Sequence, residues 1–261
     1  MDGSARARHE PVYRWGRRFS TQELAAELAR LPERASTGPR SESEAARDPT
    51  WHHYYSEALI AREAPGPPEP GGAFERARRG IAGYAFSDPE IVRGHFDISR
   101  PLEGRPMLLE LQVLGLRLLC GVMVCAVRDE QSDASSTWGF RYDTLEGHVE
   151  AGAEWFLLSK VHATGDVRFR IQAAWQAGTL PNWWTRLGFQ VLSRRYQRAW
   201  HRAAYARLRA LVDARDLPPL PHARVILQAW QPTVTAPIRE QSPTKEPSAI
   251  QAQSTIREQE S

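Results

Sequence analysis

The chain has 261 residues, 41% of them hydrophobic and 25% charged, with a formal net charge of +3, the composition of an ordinary soluble globular protein. The basic residues are arginine almost alone, with lysine only at 160 and 245, a bias of composition before it is one of function. MDGSARARHE lacks an apolar stretch behind its basic residues, and the longest apolar run, around 108–127, is broken by Glu110, Gln112 and Arg117, so neither a secretory signal nor a transmembrane segment is expected and a cytoplasmic location follows.

In chain order, residues 1–50 read as a flexible arm with one short helix, announced by the capping box Ser20-Thr21-Gln22-Glu23 and followed by Leu24, Leu28 and Leu31. The aromatic stretch 51–63 reads as a first strand, and APGPPEPGG after it as a stiff connector. Phe74, Ala77, Ile81 and Tyr84 fall at helical spacing, and Ser87-Asp88-Pro89-Glu90 predicts a second short helix toward Val92. From Pro106 the period becomes two, predicting strands at 106–113, 116–127, 137–143, 150–160 and 166–175. Cys120 and Cys125 lie five apart in one of these, on opposite faces, and are expected as two unpaired buried thiols. A long helix then carries the stripe Leu192, Tyr196, Ala199, Ala203, Leu208 and Val212, and residues 213–261 are expected to be a disordered, proline-rich tail. The order predicts an α+β domain at 51–212: an antiparallel sheet wrapped around a long C-terminal helix, the helix-grip arrangement, with a ligand-sized gap between the two.

Nine tryptophans suggest a large core, a wet pocket or both. The densest candidate stretch is 138–156. Trp138, Phe140 and Tyr142 share one strand face, and Glu150, Glu154 and Phe156 share a face of the next. About 13 Å of strand separates Glu150 from Glu154, too much for a simple two-carboxylate glycosidase pair. His148 and Glu150 could meet one polar group, and H-x-E-x3-E is similar to the first metal motif of cupins. The only later histidine nearby, His162, lies in a predicted turn, so no metal is expected. The competing reading has His148 pinning the hairpin between Gly147 and Gly152. Trp183-Trp184 serves either as a core plug or as an aromatic lid. Arg186, Arg194, Arg195, Arg198, Arg202, Arg207 and Arg209 form either a solvated helix face or a contact for anionic lipid headgroups or phosphates. No nucleic-acid motif is present, nor a G-x-G-x-x-G, G-K-[ST] or G-x-S-x-G element, so neither nucleic acid nor a cofactor is expected.

Tyr142, Thr144-Leu145, Gly147-His148, Glu150, Gly152 and Glu154, with FRIQAAWQ, the turn Trp183-Trp184-Thr185-Arg186-Leu187-Gly188 and SRRYQRAWHRAAYARL, resemble the bacterial and plant domain-of-unknown-function family nineteen-ninety over most of 51–212. Ala153 and Asp143 depart from its usual Glu and Gly. The resemblance implies a fold more than a reaction, and its segment order is similar to that of the START-like and polyketide-cyclase superfamily, whose members bind lipids, sterols or polycyclic ligands. The expected function is therefore binding of a hydrophobic or amphipathic small molecule or lipid by Trp138, Tyr142, His148, Glu150, Glu154, Trp175, Trp183 and Trp184, with Arg141 a further polar anchor. One alternative is a cyclase- or isomerase-type enzyme in the same cavity, with His148 the best catalytic candidate. Another is peripheral docking on anionic surfaces through Arg194, Arg195, Arg198 and Arg202.

Overall fold

Alternating apolar and polar residues build the sheet, and the surplus of apolar faces on both of its sides fixes what must cover it. The computed structural model describes residues 10–177 and 183–214, and the side chains of 10–176 and 197–214. In chain order the elements are β1 (Val12–Trp15), α1 (Thr21–Arg30), a 3-10 turn (Leu31–Glu33), α2 (Glu42–Arg47), β2 (His52–Arg62), α3 (Ala73–Ala82), β3 (Val92–His95), β4 (Pro106–Val113), β5 (Leu116–Gln131), β6 (Ser135–Thr144), β7 (Glu150–Val161), β8 (Asp166–Ala177) and α4 (Trp183–Asp213). The strands form one antiparallel sheet in the order β2-β8-β7-β6-β5-β4-β3, with β1 paired to β5. The fold is the α+β helix-grip: β7 and β8 lead into a 31-residue helix that lies on the inner face, roughly 46 Å of helix at 1.5 Å per residue.

The inner face carries Val122 and Val124 of β5, Trp138 and Phe140 of β6, Phe156 and Leu158 of β7, and Val167, Phe169 and Ile171 of β8. Phe74, Ala77 and Ile81 of α3 and Trp200, Ala204, Leu208 and Val212 of α4 close over it. Among the described side chains of α4 the buried stripe includes Trp200 and Ala204, one residue on from the predicted Ala199 and Ala203, and Ala199 is exposed. Tryptophan's area decides the helix rotation against two alanines. Leu192 and Tyr196 of the predicted stripe, and the tail beyond 214, lie outside the described residues.

Residues 10–50, expected as a loose arm, carry a strand and two helices packed on the sheet. β1 occupies the side of β5 at Leu116–Leu119 that β6, pairing only from Val122, leaves open. Phe19, Leu24, Leu28 and Leu31 cover Leu108, Leu119 and Leu145 on the outer face. Gly121 makes this possible, since a Cβ there would stand 2.5 Å from Leu31 Cδ2. An arm with its own apolar stripe orders itself because the sheet has an apolar outer face to bury. The predicted helix near 88–92 is absent. Asp88 O accepts the amides of Ile91 and Val92, a single turn, and β3 then pairs with Leu108–Leu111 of β4; β-branched Val92 beside an open strand edge overrides the local cap. The cysteines are both free, Cys120 in the core and Cys125 at a β5 bulge.

One buried ion pair ties the connector after β2 to the sheet. Lys160 is fully buried; its Nζ donates to Glu63 Oε2 at 2.6 Å and to Pro67 O at 2.8 Å. Glu63 also accepts the Phe74 amide in the first turn of α3 at 2.7 Å, which sets where that helix starts. Replacing Lys160 by Met leaves a buried carboxylate uncompensated and is expected to cost about 3–5 kcal/mol in urea unfolding. Arg62→Met removes a largely exposed cation from Asp166, which keeps Arg168, and is expected to cost under about 1 kcal/mol; equal costs for the two would contradict this account.

Candidate functional site

Strand register assembles the site at the end of the inner face nearest the β8–α4 connection. Tyr142 of β6 stands opposite Glu154 of β7, which pairs with Ala173 of β8 and through it with Tyr54 of β2. The next row is Gly152, Trp175 and His52, and Glu150 lies one row further, opposite Ala177. Gly152 is required here: a Cβ would sit 2.6 Å from Ala174 O and 3.1 Å from Trp175 Cα. The Thr144 hydroxyl accepts the Gly152 N–H at 2.8 Å and donates to its carbonyl at 3.1 Å, holding β7 to the end of β6.

Tyr142 donates to Glu154 Oε2 at 2.5 Å. Among the described residues, Glu154 Oε1, both carboxyl oxygens of Glu150 and His148 Nε2 have no hydrogen-bond or ion-pair partner. His148, Glu150, Glu154 and Trp175 each keep part of their surface accessible, while Tyr142 is buried. Burial pushes the Glu154 carboxyl up to about 7, an effect that the Tyr142 hydrogen bond offsets in part and the nearby Glu150 charge enlarges. Burial likewise raises Glu150 to about 7. The Glu150 charge acts on Glu154 although four residues separate them along the strand.

His148 is part of the turn before β7. Its Nδ1 accepts the Glu150 amide at 3.0 Å, which makes Nδ1 the lone-pair nitrogen, and burial lowers its pKa to about 4. The ring is therefore neutral at pH 7 and presents Nε2–H. The hairpin-pinning role is realised in the same side chain that faces the site.

Tyr84 was not legible as a site residue. It follows Gly83 at the end of α3, with its own N–H on Ile81 O at 2.9 Å and the Ala85 N–H on Gly80 O at 2.8 Å. This is the hydrogen-bond pair of a Schellman cap, whose left-handed position ordinarily takes glycine. Tyr84 holds it with φ 55°, at a cost of about 1–2 kcal/mol for a residue with a Cβ. Gly94 leaves room for the ring. The Tyr84 hydroxyl is buried near Tyr142 and Glu154 without a hydrogen-bond partner of ordinary geometry. A tyrosine directly after a helix-ending glycine was the available signal.

The other predicted residues are more dispersed. Trp138 is packed in the core, 4% exposed, with the Arg78 guanidinium 5.1 Å over its ring, four residues along β6 from Tyr142. Trp175 lies in the site, its ring 4.6 Å from that of His52. Arg141 is on the outer face, since strand alternation turns it away from Tyr142; it donates to Asp143 Oδ1 and Pro39 O. Trp183, Trp184, Arg194 and Arg195 lie in α4 where side chains are outside the described residues. Arg198 and Arg202 are exposed, whereas Arg207 and Arg209 donate to the carbonyls of Ala85 and Leu59. No group of three His, Cys, Asp or Glu that could hold a metal ion occurs among the described residues, and no described helix is long and apolar enough to cross a membrane.

Fold and site together define a helix-grip domain with a polar cluster set into an aromatic inner face. The chain belongs to the family described as domain of unknown function DUF1990, whose model matches residues 37–207. That span begins after α1, so β1 and α1 lie outside it. No curated protein matches the chain. Among solved structures it is similar to Ara h 8.0201 (12% identity, TM-score 0.37, 62% of this chain and 97% of that one). It is also similar to the di-domain ARO/CYC StfQ from the steffimycin biosynthetic pathway (8%, TM-score 0.40, 62% and 51%) and to major latex-like protein 151 of Panax ginseng (11%, TM-score 0.37, 61% and 96%).

Two measurements check this electrostatic description. With a folded pKa of about 7 against an ordinary 4.5, the Glu154 carboxyl keeps its proton while the unfolded chain loses it, so its contribution to stability falls as pH rises from 4.5 to 7. His148 and His201, both lowered to about 4 by burial, act the opposite way, losing stability as pH falls from 6.5 to 4. The quantity to measure is therefore the difference between variant and parent: Glu154→Gln is expected to gain about 2–3 kcal/mol relative to the parent between pH 4.5 and 8. A difference that is flat with pH would rule out the buried carboxyl. Separately, Tyr84→Phe removes an unpartnered buried hydroxyl and is expected to leave stability unchanged or raise it by about 1 kcal/mol, read by thermal unfolding.

Proposed function

We propose that the domain binds a small molecule with a largely apolar body between α4 and the inner face of the sheet, its polar end at Tyr142, Glu150 and Glu154. The observation that carries this is the set of polar atoms on Glu150, Glu154 and His148 with no partner among the described residues, partly accessible and in strand register with Tyr54, Tyr142 and Trp175. Deep carboxyls without partners reduce stability, and an apolar wall with a few convergent polar groups is the usual composition of a small-molecule site. Of the residues expected to contact the ligand, Tyr142, His148, Glu150, Glu154 and Trp175 remain in this reading. Trp138 belongs to the packed core instead.

A second reading, an enzyme of the cyclase or isomerase kind in the same place, is favoured by one specific observation. A carboxyl titrating near 7 is suited to move a proton in either direction at neutral pH. Glu154 fits that role better than His148, whose Nδ1 is occupied and whose pKa of about 4 makes it a weak base.

The test uses the neutral apolar probe N-phenyl-1-naphthylamine with the full chain, beside native mass spectrometry of gently purified protein. Saturable one-to-one binding with a fluorescence rise is expected, weakened about 10-fold by Trp175→Ala, a loss of aromatic contact area near 1.4 kcal/mol. Binding that is absent, or indifferent to Trp175, would remove the proposal.

A further inference from the structure

Among the described residues, the carboxylates most removed from solvent are paired with cations. Glu27 meets Arg34, Glu63 meets Lys160, Glu110 meets Arg117, Asp143 meets Arg141 and Asp166 meets Arg62. Glu150 and Glu154 stand apart from that pattern. They lie on one strand face with only Gly152, which has no side chain, between them, and no described Arg, Lys or protonated His reaches either. Among the described residues, the titratable groups around them are Tyr84 after α3, Cys120 of β5, Tyr142 of β6 and His148 of the preceding turn. None of these supplies a positive charge at neutral pH. The second observation is Tyr84: a residue 4% exposed with an unpartnered hydroxyl, held near Tyr142 and Glu154 by a left-handed backbone that glycine would occupy at less cost.

Resting on the binding reading above, we infer that the polar end of the ligand is an organic cation, an ammonium group carried on an apolar body and seated at Glu154, with Glu150 further along the same strand face adding negative charge. The ammonium supplies the positive charge that every other buried acid here obtains from the protein. Free phenol and carboxyl oxygens accept its N–H groups, and the faces of Tyr142 and Trp175 suit a cation that is quaternary. An anionic head would meet two like charges and no donor cation. A bare metal ion is disfavoured because no group of three His, Cys, Asp or Glu that could hold one occurs among the described residues.

The experiment compares one apolar body with three heads. Octylammonium, octanol and octanoate are titrated calorimetrically into the full chain at pH 7.5. Octylammonium is expected to bind at least about 10-fold more tightly than octanol, with octanoate weakest. Glu150→Gln/Glu154→Gln should abolish the preference while leaving octanol affinity within about 2-fold. Should that variant fail to fold, the parent protein decides by pH: octylammonium affinity should rise about 10-fold from pH 5.5 to 8 as the carboxyls ionise, octanol affinity staying constant. Octanol equal to octylammonium, octanoate tightest, or a preference that survives loss of both carboxyls overturns the inference and leaves the binding reading standing. Absence of binding by all three overturns both.

Discussion

The structure turns on Phe156. Its ring exposes nothing to solvent and lies within 4.9–6.5 Å, centroid to centroid, of Tyr84, Phe86, Phe140, Tyr142, Phe169 and Trp200. Those six rings come from the segment after α3, from β6, from β8 and from α4, so one side chain of β7 ties together two neighbouring strands, the long helix and the segment that follows α3. Tilted and edge-on contacts of this kind add to area burial and fix orientation as well. Two residues away on the same face stands Glu154, and the boundary between dry core and polar site is therefore one step of strand pleat wide. Phe156 seals the carboxyls from the core that α3 and α4 share, and this closeness to packed aromatics raises their pKa values.

The outer face carries a separate load. Phe19, Leu24, Leu28 and Leu31 bury the back of β4 and β5, and α2 reaches β7 through the bond from Trp155 Nε1 to Glu42 Oε1 at 2.7 Å. Strands β6 and β7 are thereby held from behind where they present Tyr142 and Glu154 in front. A site that includes unpaired carboxyls needs rigid support, because carboxyls on a loose strand would turn to water. The Arg141–Asp143 pair shows the same division by pleat: it neutralises Asp143 on the outer face and brings no cation to the inner one.

Much of this was legible in the sequence where a pattern is local. Strands β4 to β8 announce themselves by alternation, with Val167, Phe169 and Ile171 inward and Arg168 and Arg170 outward, and α1 by its capping box. The pairing of Tyr142 with Glu154 follows from two strand faces joined by a short turn. What was hidden depends on partners distant in sequence. β1 is four residues long, and its pattern means nothing until β5 offers an unpaired edge. β3 displaced a plausible helix start for the same reason. Lys160 looks like any exposed lysine until Glu63 and Pro67 surround it, 97 and 93 residues away. Arg141, chosen for its charge, was assigned to the wrong face because face, not residue type, decides access.

Local and global preferences agree through most of the described residues, and one of the places where they conflict is the site. Tyr84 adopts a backbone better suited to glycine, its hydroxyl is unpaired, and Glu150 and Glu154 have no cation partner among the described residues. Each of these lowers stability, and simple substitutions would relieve them: glycine at 84, or an apolar residue at 150 or 154. Three independent concessions scattered over a protein would be accidents of packing. Here Tyr84 lies near Glu154, and Glu150 shares a strand face with Glu154, and functional sites are where such costs persist because relieving them would remove the chemistry. The grouping points to the ligand more strongly than any one residue does, since a bound cation would satisfy the carboxyls and give the phenols a partner in a single event.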